Sequence, residues 1–144
     1  MGEAVHASAV SVGEVGILIR GRSGAGKSQL ALALMDKGAW LVADDRVYLA
    51  SRAGRLIGSA PAPIAGLVEL RGRGILPRPF HRQAIIRLVV DIVAEGPLER
   101  MPHPDELETE VLGVTLPRQP VAGADNHGLL LVSEAVREIG RAHV

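Results

Sequence analysis

Eight consecutive residues, Gly21-Arg22-Ser23-Gly24-Ala25-Gly26-Lys27-Ser28, constrain this chain more than any other segment. They fill each fixed position of the pattern G-x-x-x-x-G-K-[ST], which works only between a strand and a helix. Both flanks are present. Val15-Gly16-Ile17-Leu18-Ile19 reads as a short buried strand, and Gln29-Leu30-Ala31-Leu32-Ala33-Leu34-Met35 reads as the helix that must follow. The chain is therefore held to an α/β architecture. Its loop glycines let backbone N–H groups converge on phosphate oxygens, and the positive end of the new helix adds to the attraction. Lys27 is placed to reach the outer phosphates of a nucleotide or other polyphosphate, and the Ser28 hydroxyl to hold Mg²⁺.

Composition narrows the remaining classes. At 144 residues, 47% of them hydrophobic and with zero formal net charge, the chain reads as one globular domain. The absence of cysteine removes disulfides, thiolate catalysis and zinc–cysteine sites. Trp40, Tyr48 and Phe80 are the only aromatics, which argues against a base-stacking platform and hence against a nucleic-acid partner. No apolar run reaches the ~20 residues of a membrane span, and no basic start precedes an apolar stretch, so the expectation is a cytoplasmic protein without a membrane partner. Lys27 and Lys37 are the only lysines beside fourteen arginines. Arginine supplies the ordinary surface charge, which makes a lysine inside the loop less incidental.

Along the chain, the helix after the loop is expected to stop near Lys37-Gly38, a basic last turn followed by glycine. Trp40-Leu41-Val42-Ala43 reads as a second strand running into Asp44-Asp45. Residues 47–50 and 55–58 read as a hairpin around Ser51-Arg52-Ala53-Gly54, and residues 59–63, with two prolines, as loop. Residues 64–70 and 84–93 read as further strands. Charge then separates: Arg71, Arg73, Arg78, Arg82 and Arg87 share one stretch, whereas residues 95–110 hold six acids (Glu95, Glu99, Asp105, Glu106, Glu108, Glu110) against Arg100 alone. Such blocks are commonly solvated faces. Residues 128–132 read as a strand and 133–140 as a short helix.

Asp44-Asp45 is the second candidate site. Two adjacent acids at a strand end point to different sides, which suits two jobs: one carboxylate orienting Mg²⁺ and the other removing the proton of an attacking hydroxyl. Glu69 ends another apolar run before Gly72 and Gly74. His6, fifteen residues before the loop, is by itself more often structural than catalytic.

Taken together, His6, residues 21–28, Gly38-Ala39-Trp40-Leu41-Val42-Ala43-Asp44-Asp45-Arg46-Val47 and Val68-Glu69-Leu70-Arg71-Gly72-Arg73-Gly74-Ile75 resemble HPr kinase/phosphorylase. The resemblance is good over residues 5–75 and loose beyond. It implies an α/β phosphate-loop kinase domain with a mixed sheet, of the HPr kinase/PEP carboxykinase-like type. It also implies Mg²⁺ and a donor, ATP or pyrophosphate, for phosphorylating a seryl hydroxyl of the phosphocarrier HPr or a close relative, with removal of that phosphate by inorganic phosphate as the reverse reaction. In this resemblance Asp45 is proton acceptor and, in reverse, donor; Lys27 and His6 are catalytic; Ser28 and Glu69 are Mg²⁺ ligands, with Asp44 as a further metal candidate. Residues 69–76 belong to the active surface, and Arg100, in Leu98-Glu99-Arg100-Met101, is a weaker carry-over as a catalytic arginine. A homohexamer is implied too. Because the sequence begins five residues before His6, the expectation is a short form: residues 1–144 as a single catalytic domain with no N-terminal regulatory domain.

Departures from the family pattern are Gln29 after the loop serine, Arg73, Leu76 and Pro77 after Glu69, and Pro117-Arg118-Gln119-Pro120-Val121-Ala122-Gly123, which has no counterpart to the motif tied to dephosphorylation. Kinase chemistry is thus favoured over the reverse reaction. Two other readings fit a phosphate loop: a small-molecule kinase, marked by turnover that responds to a metabolite, and a nucleotide-sensing regulatory module, marked by binding without transfer.

Overall fold

The structure is a computed structural model that describes residues 2–93 and 98–142; Glu95 of the acidic block lies outside them. The elements run β1 (Gly2–Val5), β2 (Ser8–Val12), β3 (Val15–Arg20), α1 (Lys27–Asp36), β4 (Trp40–Ala43), β5 (Val47–Arg52), β6 (Arg55–Ser59), β7 (Leu67–Leu70), β8 (Gly74–Pro77), β9 (Gln83–Ile92), β10 (Glu108–Val111), β11 (Val114–Val121) and α2 (Asn126–Ala142). The main sheet is mixed, with strand order β1-β5-β6-β9-β3-β2-β4 and with β11 joined to β9 and β10 to β11. Strand β9 pairs in parallel with β3 and with β11, and the other strand pairings of this sheet are antiparallel.

The alternation of side chains along a strand explains why the central strands are apolar throughout. On β3, Ile17 and Ile19 join a core with Leu30, Leu34, Leu88 and Val90, whereas Leu18 joins a second core with Val42, Val47, Leu56 and Val89. Both faces of β3 and β9 are buried, as expected for parallel strands at a sheet centre. Each fully buried aliphatic contributes about 1.5–3 kcal/mol. Helix α1 is apolar on more than one side for a related reason: Leu30, Ala31 and Leu34 enter the first core, and Leu32 meets Leu41 and Val68 under the β7–β8 hairpin. Gly16 is required where β3 approaches β9, because a Cβ there would lie 2.3 Å from the Ile85 carbonyl oxygen.

One pairing arrangement creates the site. β2 pairs with β4 and β1 with β5, so residues 2–12 and 40–52 form one long antiparallel ribbon. Both strands of that ribbon break at the same level, one at His6-Ala7 and the other at Asp44-Asp45-Arg46. The two halves of the ribbon lie at opposite ends of the strand order, so the bend curls the sheet.

Several sequence expectations are corrected. Residues 128–132 are not a strand; they belong to α2, which is continuous from Asn126 to Ala142. Leu129, Val132, Val136 and Ile139 face the first core at helical spacing, and Leu130 is exposed, so the apolar run is not one buried strand face. The start of α2 is fixed by Asp125, whose Oδ1 accepts the Gly128 N–H at 2.8 Å. The strand expected over 64–70 begins only at Leu67, after a 3-10 turn at Ala62–Ile64 and Gly66 at φ +77°. The β5–β6 turn is the two residues Ala53 and Gly54, both at positive φ, a geometry that matches the strand twist. Residues 117–121 are strand despite two prolines: at each position β11 has one neighbour, β10 up to Pro117 and β9 from Arg118. No helix among the described residues is long and apolar enough to cross a membrane.

Candidate active site

Strand β3 delivers the chain to Gly21, and the loop closes on itself through Ala25 N–H donating to the Arg22 carbonyl at 3.0 Å. Gly24 and Gly26 sit at φ +82° and +104°, in the left-handed region that glycine adopts without strain. Gly26 is the residue preceding α1, and its carbonyl accepts the Leu30 N–H at 2.9 Å. Lys27 is buried, and its ammonium donates to the carbonyls of Gly21 at 2.8 Å and Arg22 at 3.0 Å. The charge is therefore held inside the curve of the loop.

The two aspartates diverge as their positions require. Asp44 is 5% exposed, and its Oδ1 accepts hydroxyl hydrogen bonds from Ser8 and Ser28, both at 2.7 Å. Its Oδ2 accepts the Glu69 N–H at 3.3 Å. One buried carboxylate thus ties the loop serine to β2, β4 and β7. Asp45 follows at φ +67°, a left-handed conformation that aspartate tolerates better than most residues, and this turn throws its side chain outward. The Asp45 carboxylate is 70% exposed and its Oδ1 lies 2.6 Å from His6 Nε2. His6, Lys27, Ser28, Asp45, Glu69 and Arg71 line a single open pocket.

The structure therefore gathers most of the residues read from the sequence. Gly21 and Arg22 contribute carbonyls, Ala25 a loop N–H, and Ser23, Gly24 and Gly26 pocket wall. Arg100 is not among the pocket residues; it lines a separate cleft with Glu106, Arg118, His127 and Glu134. The Ser28 hydroxyl and the Glu69 backbone N–H converge on Asp44, and Ser28 and Glu69 line the same pocket, yet among the described residues no three His, Asp or Glu side chains are gathered as a metal cage. An oxygen donor set of this sparse kind fits Mg²⁺, which keeps several waters and takes substrate phosphates as partners.

Two features were missed from sequence. Ser8 had a faint signal, a hydroxyl within the small apolar run that follows His6. The other is a charge cluster behind the loop. Asp91 of β9 receives Arg20 Nε at 2.8 Å and Nη2 at 2.9 Å, and Arg118 Nε at 2.5 Å. Burial pushes the Asp91 carboxyl up, but the hydrogen bonds and charges of Arg20 and Arg118 outweigh it and hold the group below its ordinary value. Residues 71 and 27 apart in sequence gave no local pattern to read.

Residues 1–137 match the family described as HPr Serine kinase C-terminal domain. The HPr kinase/phosphorylase of Geobacillus sp. (strain WCH70) is 40% identical over 132 residues, which cover 81% of this chain and 42% of that protein. The HPr kinase/phosphorylase of Bordetella pertussis is 36% identical over 145 residues, covering 92% of this chain and 47% of that protein. The chain thus spans a little under half the length of these relatives. The solved structure of the Hpr(Ser) kinase/phosphatase from Coxiella burnetii superimposes with a TM-score of 0.81 at 28% identity, covering 99% of both chains.

Proposed function

From the premise that this chain belongs to the HPr serine kinase C-terminal domain family, we propose that it transfers a phosphoryl group from Mg-ATP to a serine hydroxyl of the phosphocarrier HPr or a close relative. The observation that carries the reading is the exposed Asp45 carboxylate, 2.6 Å from His6 Nε2 and in one pocket with Lys27 and Ser28. Phosphoryl transfer needs positioning and charge neutralisation more than covalent chemistry, and each residue has a part in that. The loop N–H groups and Lys27 hold the donor phosphates. Ser28 and Glu69, with Asp44 fixing the Ser28 hydroxyl, are the residues that would hold Mg²⁺, and the ion would supply neutralisation of charge on the transferring group. His6, with its proton on Nε2, donates to Asp45 and orients it. Asp45 then accepts the seryl proton as the oxygen attacks.

Arg100 has no part in this scheme as positioned. The resemblance extends the proposal to a cytoplasmic location and to a homohexamer, and sedimentation of the purified chain tests the hexamer directly. The function itself is tested by incubating the chain with labelled ATP, Mg²⁺ and a purified phosphocarrier and mapping the modified residue. Label on serine is the expected result. Label on another side chain, or nucleotide binding with no transfer to any phosphocarrier, overturns the reading.

A further inference from the structure

Behind the loop, one carboxylate is held by two guanidinium groups that take no part in the chemistry above. We propose that Asp91 is a positioning residue for the phosphate loop, acting through Arg20; this rests on the nucleotide-binding reading of that loop. Arg20 is the last residue of β3 and stands opposite Asp91 in the parallel register with β9. Its Nε and Nη2 grip the two oxygens of Asp91 as a fork, a geometry that fixes direction as well as distance. The next residue, Gly21, begins the loop and lies so close to β9 that a Cβ on it would be 3.3 Å from the Ile92 Cβ.

The carbonyls of Gly21 and Arg22 are in turn the two acceptors that hold the Lys27 ammonium. The sequence of contacts is continuous: Asp91 fixes Arg20, Arg20 leads into Gly21 and Arg22, and those two carbonyls hold Lys27. The Asp91 side chain is only 16% exposed, so the fork is partly shielded from water, where such pairs are stronger than at a free surface. Arg118 Nε donates to Oδ2 of Asp91, the oxygen that also accepts Arg20 Nη2, and its Nη1 donates to the Glu106 carbonyl at 2.8 Å. Arg118 and Glu106 line a cleft separate from the loop pocket, so that arm supplies an internal control.

The test uses the full chain and the variants Asp91→Asn, Arg20→Gln, Arg118→Gln and the double variant Asp91→Asn/Arg20→Gln. Mg-ATP affinity is measured by calorimetry, and amide hydrogen exchange of residues 20–28 is measured without nucleotide, both well below each variant's own melting midpoint. Asp91→Asn and Arg20→Gln are expected each to weaken Mg-ATP by about 5–20-fold and to speed loop exchange, as loss of a charge-assisted contact implies. The double variant is expected to be no worse than the poorer single one, since both act through one contact. Arg118→Gln removes a contact of the same kind that does not lead into the loop, so its Mg-ATP affinity should stay within about twofold of the parent.

Parental affinity and parental loop exchange in Arg20→Gln overturn the proposal, as does an equal effect of Arg118→Gln or additivity in the double variant. If Asp91→Asn does not fold, Arg20→Gln, on a more exposed side chain, still decides. If the parent binds no Mg-ATP, the nucleotide reading fails, while loop exchange still judges the positioning role by itself.

Discussion

At the scale of single residues, the pocket separates side chains buried and bonded within the protein, Lys27 and Asp44, from the exposed Asp45. Lys27 is buried, and its ammonium is bound to the carbonyls of its own loop. Lys27→Ala should therefore leave the melting midpoint close to the parent and weaken Mg-ATP by about 10–100-fold, the range for a charged hydrogen-bonding group. Calorimetry with parallel circular dichroism checks both halves, and parental affinity would remove the loop from the site. Asp45→Asn keeps shape and keeps a residue type that tolerates φ +67°, so under the proposed role it isolates the loss of a base. We expect nucleotide affinity to persist and transfer to fall about 10²–10⁴-fold. Asp44→Asn should instead damage nucleotide and metal binding, because the Asp44 carboxylate holds Ser8, Ser28 and the Glu69 N–H together. If Asp44→Asn bound Mg-ATP normally while Asp45→Asn did not, the two roles would be exchanged.

At the scale of elements, two termini decide more than their length suggests. Asp125 holds the first turn of α2 by accepting the Gly128 N–H, and α2 presses Val132 and Ile139 into the first core. Asp125→Ala should lower stability by about 0.5–2 kcal/mol in urea unfolding without moving Mg-ATP affinity. An unchanged midpoint would show that burial of Val132 and Ile139 alone sets the helix. The ends of β3 and β9 are joined by Asp91, whose folded-state carboxyl is held below the ordinary 3.8. The sign follows from linkage: a depressed carboxylate stabilises fully above about 3.8 and loses that contribution as pH falls through its lower folded value. Acid unfolding of Asp91→Asn should accordingly have a shallower pH dependence below pH 3.8 than the parent's. Identical slopes would show that Asp91 contributes nothing to it.

At the scale of the molecule, the curled ribbon is what brings His6 to Asp45 across 39 residues of sequence, at the mouth of the phosphate loop. The segment that departs from the family pattern, residues 117–123, is largely consumed by β11, and Asp125 just beyond it caps α2. With His6, Lys27, Ser28, Asp45 and Glu69 lining one pocket and that segment committed to structure, forward transfer should exceed the reverse. Supplying phosphoserine protein, Mg²⁺ and inorganic phosphate and following pyrophosphate tests this, and release at the forward rate would contradict it.

The loop, its strand and helix, the paired acids and the strand at residues 84–93 were legible because each is a local pattern: glycines at fixed spacing, a continuous apolar run, charge at a strand end. The helix over 128–132 was not, because an apolar run looks the same in a buried strand and in a helix until its N-cap is recognised. Arg100 illustrates a further limit, since a motif-based placement says nothing about which cleft a side chain lines. The sequence alone set out the groups at hand, a loop with the G-x-x-x-x-G-K-[ST] spacing and two adjacent carboxylates at a strand end. Only the tertiary structure decided which carboxylate is buried against Ser28 and which is exposed beside His6, and only it joined Arg20 and Arg118 to Asp91. Those outcomes depend on strand pairing between distant residues, and the energy that selects such pairing lies in burying both faces of β3 and β9, not in any local run of residues.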